Sequence, residues 1–123
     1  MRVVVIVDDD AAIRTALARL VRTIGYRPVT FASGDDLLRR LEEVEAACVL
    51  TDIQMPGMSG LVLTQHLRRR QPTLPILVMT AYPSQTNRDQ ALASGAQQYL
   101  AKPLDDQTLE EWLLNAIGTP ERR

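Results

Sequence analysis

One cysteine, Cys48, is all the chain contains, so no intramolecular disulfide can form and packing alone must hold the fold. A lone thiol also suits a reducing cytoplasm, which is the expected location. Histidine is equally scarce: His66 stands alone, on a helical segment where an exposed position is expected. Cys48 is expected to be a small buried apolar residue, so thiolate and imidazole metals are poorly served. Long apolar runs are missing. The first, Val3–Val7, stops at Asp8–Asp10, too short for a signal peptide or a bilayer span. Neither sign of charge dominates, since 14 basic and 15 acidic residues leave a formal net charge of −1. That balance argues against a general nucleic-acid-binding surface. Repeats, linkers and low-complexity tracts are absent.

What remains is 123 residues, 46% hydrophobic and 24% charged, the make-up of one soluble globular domain. At this size folding buries roughly two-thirds of the unfolded chain's surface, enough for a core without staples. The domain is expected to span residues 1–118, with 119–123 a tail or the start of a linker.

Val3–Val7 is β-branched and apolar throughout, as a central strand covered on both faces would be. Ile13, Leu17, Leu20, Val21 and Ile24 then recur at helical spacing, with Asp10 placed to cap the helix and Gly25 to stop it. Arg27–Phe31 reads as a second strand, and Leu37, Leu38, Leu41 and Val44 mark a second helix. Ala47–Thr51 is a third strand ending at Asp52, and Leu61–Arg70 a third helix, whose Arg68, Arg69 and Arg70 read as a solvated basic end. Ile76–Met79 is a fourth strand ending at Thr80 and Ala81, followed by a weakly apolar fourth helix, Ser84–Ser94, that Gly95 stops. Gln97–Leu100 is a fifth strand leading to Lys102–Pro103, and Leu109, Leu113 and Ile117 carry a fifth helix. Trp112 and Leu113 are adjacent, so they cannot both face the same core line. Five strands alternating with five helices predict an α/β fold, a doubly wound parallel sheet with helices on both faces.

In a parallel sheet the strand ends share one edge, where open α/β sheets bind ligands. Four ends here carry polar groups: Asp8 and Asp9, then Asp52, Thr80 and Lys102. Asp52 by itself has two readings, a site carboxylate or a turn residue. The other strand ends favour the first, because clustered carboxylates repel and call for a cation. Oxygen ligands suit a hard ion such as Mg²⁺. A lysine and a hydroxyl opposite a bound metal form a cradle for a phosphoryl group, and a carboxylate can accept one as an aspartyl phosphate.

With the segments IVDDD, LTDIQMPGMSG, VMTAY and GAQQYLAKP, the chain resembles the receiver domains of two-component response regulators from Val3 to about Ile117. The resemblance implies a flavodoxin-like sheet of order 2-1-3-4-5. It implies Asp52 as phosphoacceptor. Asp9, Asp52 and the backbone carbonyl of Gln54 would ligate Mg²⁺, or Mn²⁺, with Asp8 acting mainly through water. Thr80, Ala81 and Lys102 would bind the phosphoryl group, Thr80 and Tyr99 would form the switch, and Lys102–Pro103 would be cis. Gln54 and Tyr82 occupy positions that tune the lifetime of the phosphoryl group in this family. The resemblance further implies a sensor histidine kinase or phosphotransfer protein as partner. It implies an output controlled through the surface of the fourth helix, fifth strand and fifth helix, transcription being one such output and a homodimer one arrangement of that surface. No membrane and no direct nucleic-acid contact are implied for this chain, and no enzymatic turnover beyond its own phosphorylation and dephosphorylation. In the expected switch, Tyr99 turns in from solvent as the phosphoryl group draws Thr80 inward. Two alternatives stand beside this reading. One is a hydrolase of the haloacid-dehalogenase type, disfavoured because its DxDxT pattern has Gln54 at the second acidic position. The other is a receiver-like module that takes no phosphate, disfavoured by the intact Asp8, Asp9, Asp52, Thr80 and Lys102 set.

Overall fold

The structure, a computed structural model, describes residues 2–120. Its five strands are β1 (Val3–Val7), β2 (Arg27–Phe31), β3 (Cys48–Asp52), β4 (Ile76–Thr80) and β5 (Gln98–Ala101). All pair in parallel, in the order β2-β1-β3-β4-β5. The expected sheet order and fold class hold.

Alternation along each strand divides the core into two layers. On one face Val4, Ile6, Cys48, Leu50, Leu77 and Met79 pack under α1 (Ala11–Ile24) and the C-terminal helix, which supply Leu17, Val21, Leu109, Leu113 and Ile117. On the other, Val5, Val7, Val49 and Val78 meet Leu37, Leu41, Leu63 and Leu67. Burial on both faces is why β1, β3 and β4 read as unbroken apolar runs rather than alternating ones.

The second helix departs from expectation. It divides into α2 (Gly34–Arg39) and α3 (Leu41–Val44), so the described residues form six helices, not five. Arg40 between them leaves helical geometry, with φ −117° and ψ 14°. Leu37 and Leu41 remain fully buried on either side, and the Arg40 guanidinium lies 5.8 Å from the centre of the Phe31 ring. Core anchoring thus survives a break that the apolar spacing alone conceals, because tertiary burial outweighs local helix continuity. The remaining helices are α4 (Gly60–Arg70), α5 (Gln85–Ser94) and α6 (Asp106–Ile117), so the expected fourth and fifth helices are α5 and α6.

The local signals hold. The Asp10 carboxylate accepts from the Ala12 and Ile13 amides at the start of α1, and Gly25 ends that helix at φ 118°. Leu113 is buried while Trp112 is half-buried against the edge of the same core. The Tyr26 hydroxyl donates to the Gly118 carbonyl at 2.6 Å, tying the end of α6 to the start of β2. Glu121–Arg123, most of the expected tail, lie outside the described residues. No helix among the described residues is long and apolar enough to cross a membrane.

Candidate functional site

The order of the sheet reverses between β1 and β3, and their ends carry the acids. Asp8 follows β1 and is buried. Its amide donates to the Phe31 carbonyl at 3.2 Å, and its Oδ1 accepts from the Asp10 amide at 2.9 Å. Asp52 closes β3, 5% exposed, and the next amide, of Ile53, donates to the Met79 carbonyl on β4 at 3.0 Å. Asp9 is exposed. One carboxylate oxygen from each of Asp8, Asp9 and Asp52 lies within 4.8 Å of the others, so the expected acids do converge.

Lys102 reaches them from the far side. Its Nζ lies 2.8 Å from Asp8 Oδ2 and 3.3 Å from Asp52 Oδ2, and its amide donates to the Thr80 carbonyl at 2.8 Å, joining the ends of β4 and β5. The peptide between Lys102 and Pro103 is cis, as expected.

One ammonium facing three carboxylates leaves the rim with surplus negative charge. Burial pushes the Asp52 carboxyl above the usual carboxylate range, with the neighbouring Asp8 adding to the rise and Lys102 opposing it. Burial acts the other way on Lys102, but its hydrogen bond to Asp8 and the two carboxylate charges outweigh that, so its pKa is raised and the ammonium is retained. Asp52 Oδ1 is buried without a hydrogen-bond partner. A buried anionic oxygen without a partner is costly, and a cation removes the cost. The donors are all hard oxygens, so the cluster fits a hard divalent cation. The residues present therefore fit the implied metal.

Thr80 is fully buried at the end of β4. Its hydroxyl donates to Gln54 Oε1 at 2.8 Å and accepts from the Tyr82 amide at 3.0 Å. Ala81 follows, exposed beside the rim. Tyr82 is 72% exposed, so its ring lies largely in solvent.

Tyr99 requires a correction to the expected switch. It does not start in solvent: it is 7% exposed and belongs to the core layer with Val78 and Ala91. Its hydroxyl accepts from the Ser84 amide at 3.1 Å and faces the Ser84 carbonyl at 3.4 Å. Backbone groups of Ser84 satisfy the phenol, so the ring can stay buried without a phosphoryl group.

Three further residues went unread in the sequence or were read differently. Gly60 opens α4 against the carbonyl of Asp52, where an added Cβ would lie 1.9 Å from that oxygen. A glycine at the start of a helix just after a site strand was the available signal. Arg68 and Arg70 are not a freely solvated helix end. Arg68 donates to the Gly95 carbonyl at 3.1 and 2.6 Å and to the Pro72 carbonyl at 2.8 Å. Arg70 grips Glu42 at 2.7 and 2.9 Å. Nothing in the local sequence announces Gly95 and Glu42 as partners, which are 27 and 28 residues away in the chain. Cys48 is buried as expected, and burial pushes its thiol up to about 12, so it stays protonated.

Comparison with known proteins agrees with this geometry. The family model of the response regulator receiver domain matches residues 4–114. The DNA-binding transcriptional regulator NtrC of Klebsiella pneumoniae is 41% identical over 100 residues, which cover 81% of this chain and 21% of that protein. The transcriptional regulatory protein ZraR of Salmonella typhimurium is 38% identical over 115 residues, covering 94% of this chain and 26% of that protein. The chain thus spans about a fifth to a quarter of the length of these curated relatives. A CheY-like receiver domain protein from Methanospirillum hungatei superposes with a TM-score of 0.89 at 27% identity, covering 95% of this chain and 94% of that one. The response regulator TrrA from Thermotoga maritima, solved in complex with Mg²⁺–BeF, superposes with a TM-score of 0.85 at 28% identity, covering 94% of this chain and 99% of that one. The chain belongs to the response regulator receiver domains of two-component systems.

Proposed function

We propose that Asp52 is the phosphoacceptor of this receiver domain and that a sensor histidine kinase or a phosphotransfer protein supplies the phosphoryl group. The observation that carries the reading is the buried, unpartnered Asp52 oxygen, set in one rim with the Asp8 and Asp9 carboxylates and the Lys102 ammonium. A carboxylate oxygen of Asp52 forms the new P–O bond, while the donor's P–N bond breaks and its electron pair returns to the imidazole nitrogen. Asp9, Asp52 and the Gln54 backbone carbonyl would hold Mg²⁺, or Mn²⁺, and Asp8 would act mainly through water. The metal, when bound, offsets negative charge during in-line transfer. Lys102 then leaves its carboxylate partners in part to pair with a phosphoryl oxygen, and the Thr80 hydroxyl and the Ala81 backbone N–H donate to the others.

Phosphorylation brings a charge near −2 and strong acceptor oxygens to the rim. Thr80 and Tyr99 carry that change to the face formed by α5, β5 and α6. Because Tyr99 is already inward, the first group to move is the Thr80 hydroxyl, and the β4–α5 segment held by Ser84 and Tyr99 follows. Leu92 on α5 is an exposed apolar residue on an element of this face, which suits a homodimer or an output surface. The relatives named as transcriptional regulators favour transcription as that output, supplied by a longer protein in which residues 1–118 are the receiver and 119–123 lead out of it. A near-neutral net charge of −1 supports leaving nucleic-acid contact to other regions. The cytoplasm, where such donors present their phosphoryl groups, is the compartment this reading implies.

Incubation with Mg²⁺ and acetyl phosphate, followed by mass spectrometry, tests the site. The wild type gains one phosphoryl group in the peptide that holds Asp52, and Asp52→Asn gains none. Modification of that variant at the wild-type rate would refute the assignment. Sustained turnover of a small phosphate ester would instead argue for an enzyme.

A further inference from the structure

A hydroxyl has one proton to give. In this structure the proton of Thr80 is already committed, at 2.8 Å, to the side-chain carbonyl of Gln54. The same oxygen is held from the other side by the Tyr82 amide at 3.0 Å. Thr80 is fully buried, so the hydroxyl is oriented by these partners rather than by bulk water. Gln54 comes two residues after Asp52 and is exposed, and its side chain bridges the segment after β3 to the end of β4. A phosphoryl oxygen on Asp52 that takes the Thr80 proton must therefore take it from Gln54.

We propose that the Gln54 side chain is a positioning residue that competes with the phosphoryl group for the Thr80 proton and so holds the unphosphorylated state. The inference rests on the phosphoacceptor reading of Asp52 and adds to it a role for the side chain of Gln54, separate from that of its backbone carbonyl. No covalent step is involved. The proton stays on the Thr80 oxygen and one acceptor replaces another. A hydrogen bond to a charged phosphoryl oxygen is roughly twice as strong as one to a neutral amide, so the exchange runs forward. The Gln54 bond is subtracted from the gain, and the threshold for switching rises accordingly. A carboxylate at position 54 would hold the proton more strongly and would also repel the incoming anion.

The test titrates the whole protein with beryllofluoride in excess Mg²⁺, following the Tyr82 amide resonance, which reports directly on Thr80. Wild type is compared with Gln54→Ala, with Gln54→Met, which keeps the length without a strong acceptor, and with Gln54→Glu. The Ala and Met variants are repeated in a Thr80→Val background. The neutral variants should bind beryllofluoride about 3- to 10-fold more tightly than wild type, the worth of one neutral hydrogen bond. Gln54→Glu should bind more weakly. In the Thr80→Val background the effect of Gln54→Ala or Gln54→Met should shrink below about twofold, as coupled groups require. Tightening that survives in that background means that Gln54 acts elsewhere, and it overturns the inference. So does binding that is unchanged or weaker in both neutral variants while the wild type binds normally, an outcome that leaves the phosphoacceptor reading standing. A wild type that binds no beryllofluoride overturns both.

Discussion

The ends of β1 and β3 and the segment from the end of β4 through α5 flank the same rim but are held differently. β3 is buried along its whole length and β1 along all but its first residue, and the acids they carry are fastened by backbone amides, Arg14 and Lys102. α5 commits only Ala91 to full burial, and Tyr82, Pro83 and Ser84 before it are exposed. The contrast fits the roles proposed for the two sides. Carboxylates brought together against their mutual repulsion need rigid strands beneath them. A segment that reports a change must cost little to move, and few buried contacts keep that cost low.

The largest expected effect breaks the rigid side. Gly60→Ala sets a Cβ into the Asp52 carbonyl and should destabilise the protein by about 4 kcal/mol, read as a lower urea midpoint. A midpoint within experimental error of wild type would show that the end of β3 is not rigid.

Next comes Lys102→Met, which leaves the Asp8 and Asp52 carboxylates buried without their ammonium. Stability in EDTA should fall by about 3 kcal/mol, and Mg²⁺ should restore part of it. Restoration by Na⁺ at equal ionic strength would point to screening rather than to a site.

Asp52→Asn should do the opposite in EDTA. Burial raises the Asp52 pKa in the fold, so its ionised form is disfavoured there relative to the unfolded chain. Any stabilisation Asp52 provides is present below its unfolded pKa and is lost as pH rises through the folded value. The amide should therefore raise the urea midpoint at neutral pH, and the gain should fade as pH falls through the folded pKa. Mg²⁺ should favour the wild type and narrow the gap. A variant less stable than wild type in EDTA would contradict this account of the rim.

The less buried side gives smaller numbers. Arg68→Ala removes the guanidinium that holds the Gly95 carbonyl at the end of α5. It should cost about 1 kcal/mol globally and speed amide exchange in α5 more than in β1 or β3. Uniform faster exchange would mean that α5 is not a separate, looser unit. The smallest effect is expected of Asp105→Ala at the start of α6. Hydrogen bonds from Thr108 lower the Asp105 pKa, so its slight stabilisation is present above the ordinary carboxylate range and is lost as pH falls through the lowered value.

The two sides also differed in how far they could be read beforehand. The acid rim was legible because its chemistry sits at strand ends. Unbroken apolar runs locate the strands, and parallel pairing puts Asp8, Asp9, Asp52, Thr80 and Lys102 on one edge. On the other side Tyr99 was expected outside and lies inside. Its burial depends on the Ser84 backbone, fifteen residues earlier in the chain, which offers the phenol its partners. The clamp from Arg68 to Gly95 was hidden for the same reason, its partner lying 27 residues away, and the break at Arg40 was hidden because Leu37 and Leu41 keep helical spacing on either side of it.

Periodicity, caps and stops in the sequence were enough to place five strands and the polar groups at their ends, because those signals act within a few residues; the strand order that brings those groups together was implied by the family resemblance and is the order of the sheet. Only the tertiary structure decided which proton donor meets which acceptor. The Thr80 hydroxyl turns to Gln54, Tyr99 to Ser84 and Lys102 to Asp8, because hydrogen-bond partners are chosen by distances of a few ångström that chain order does not encode.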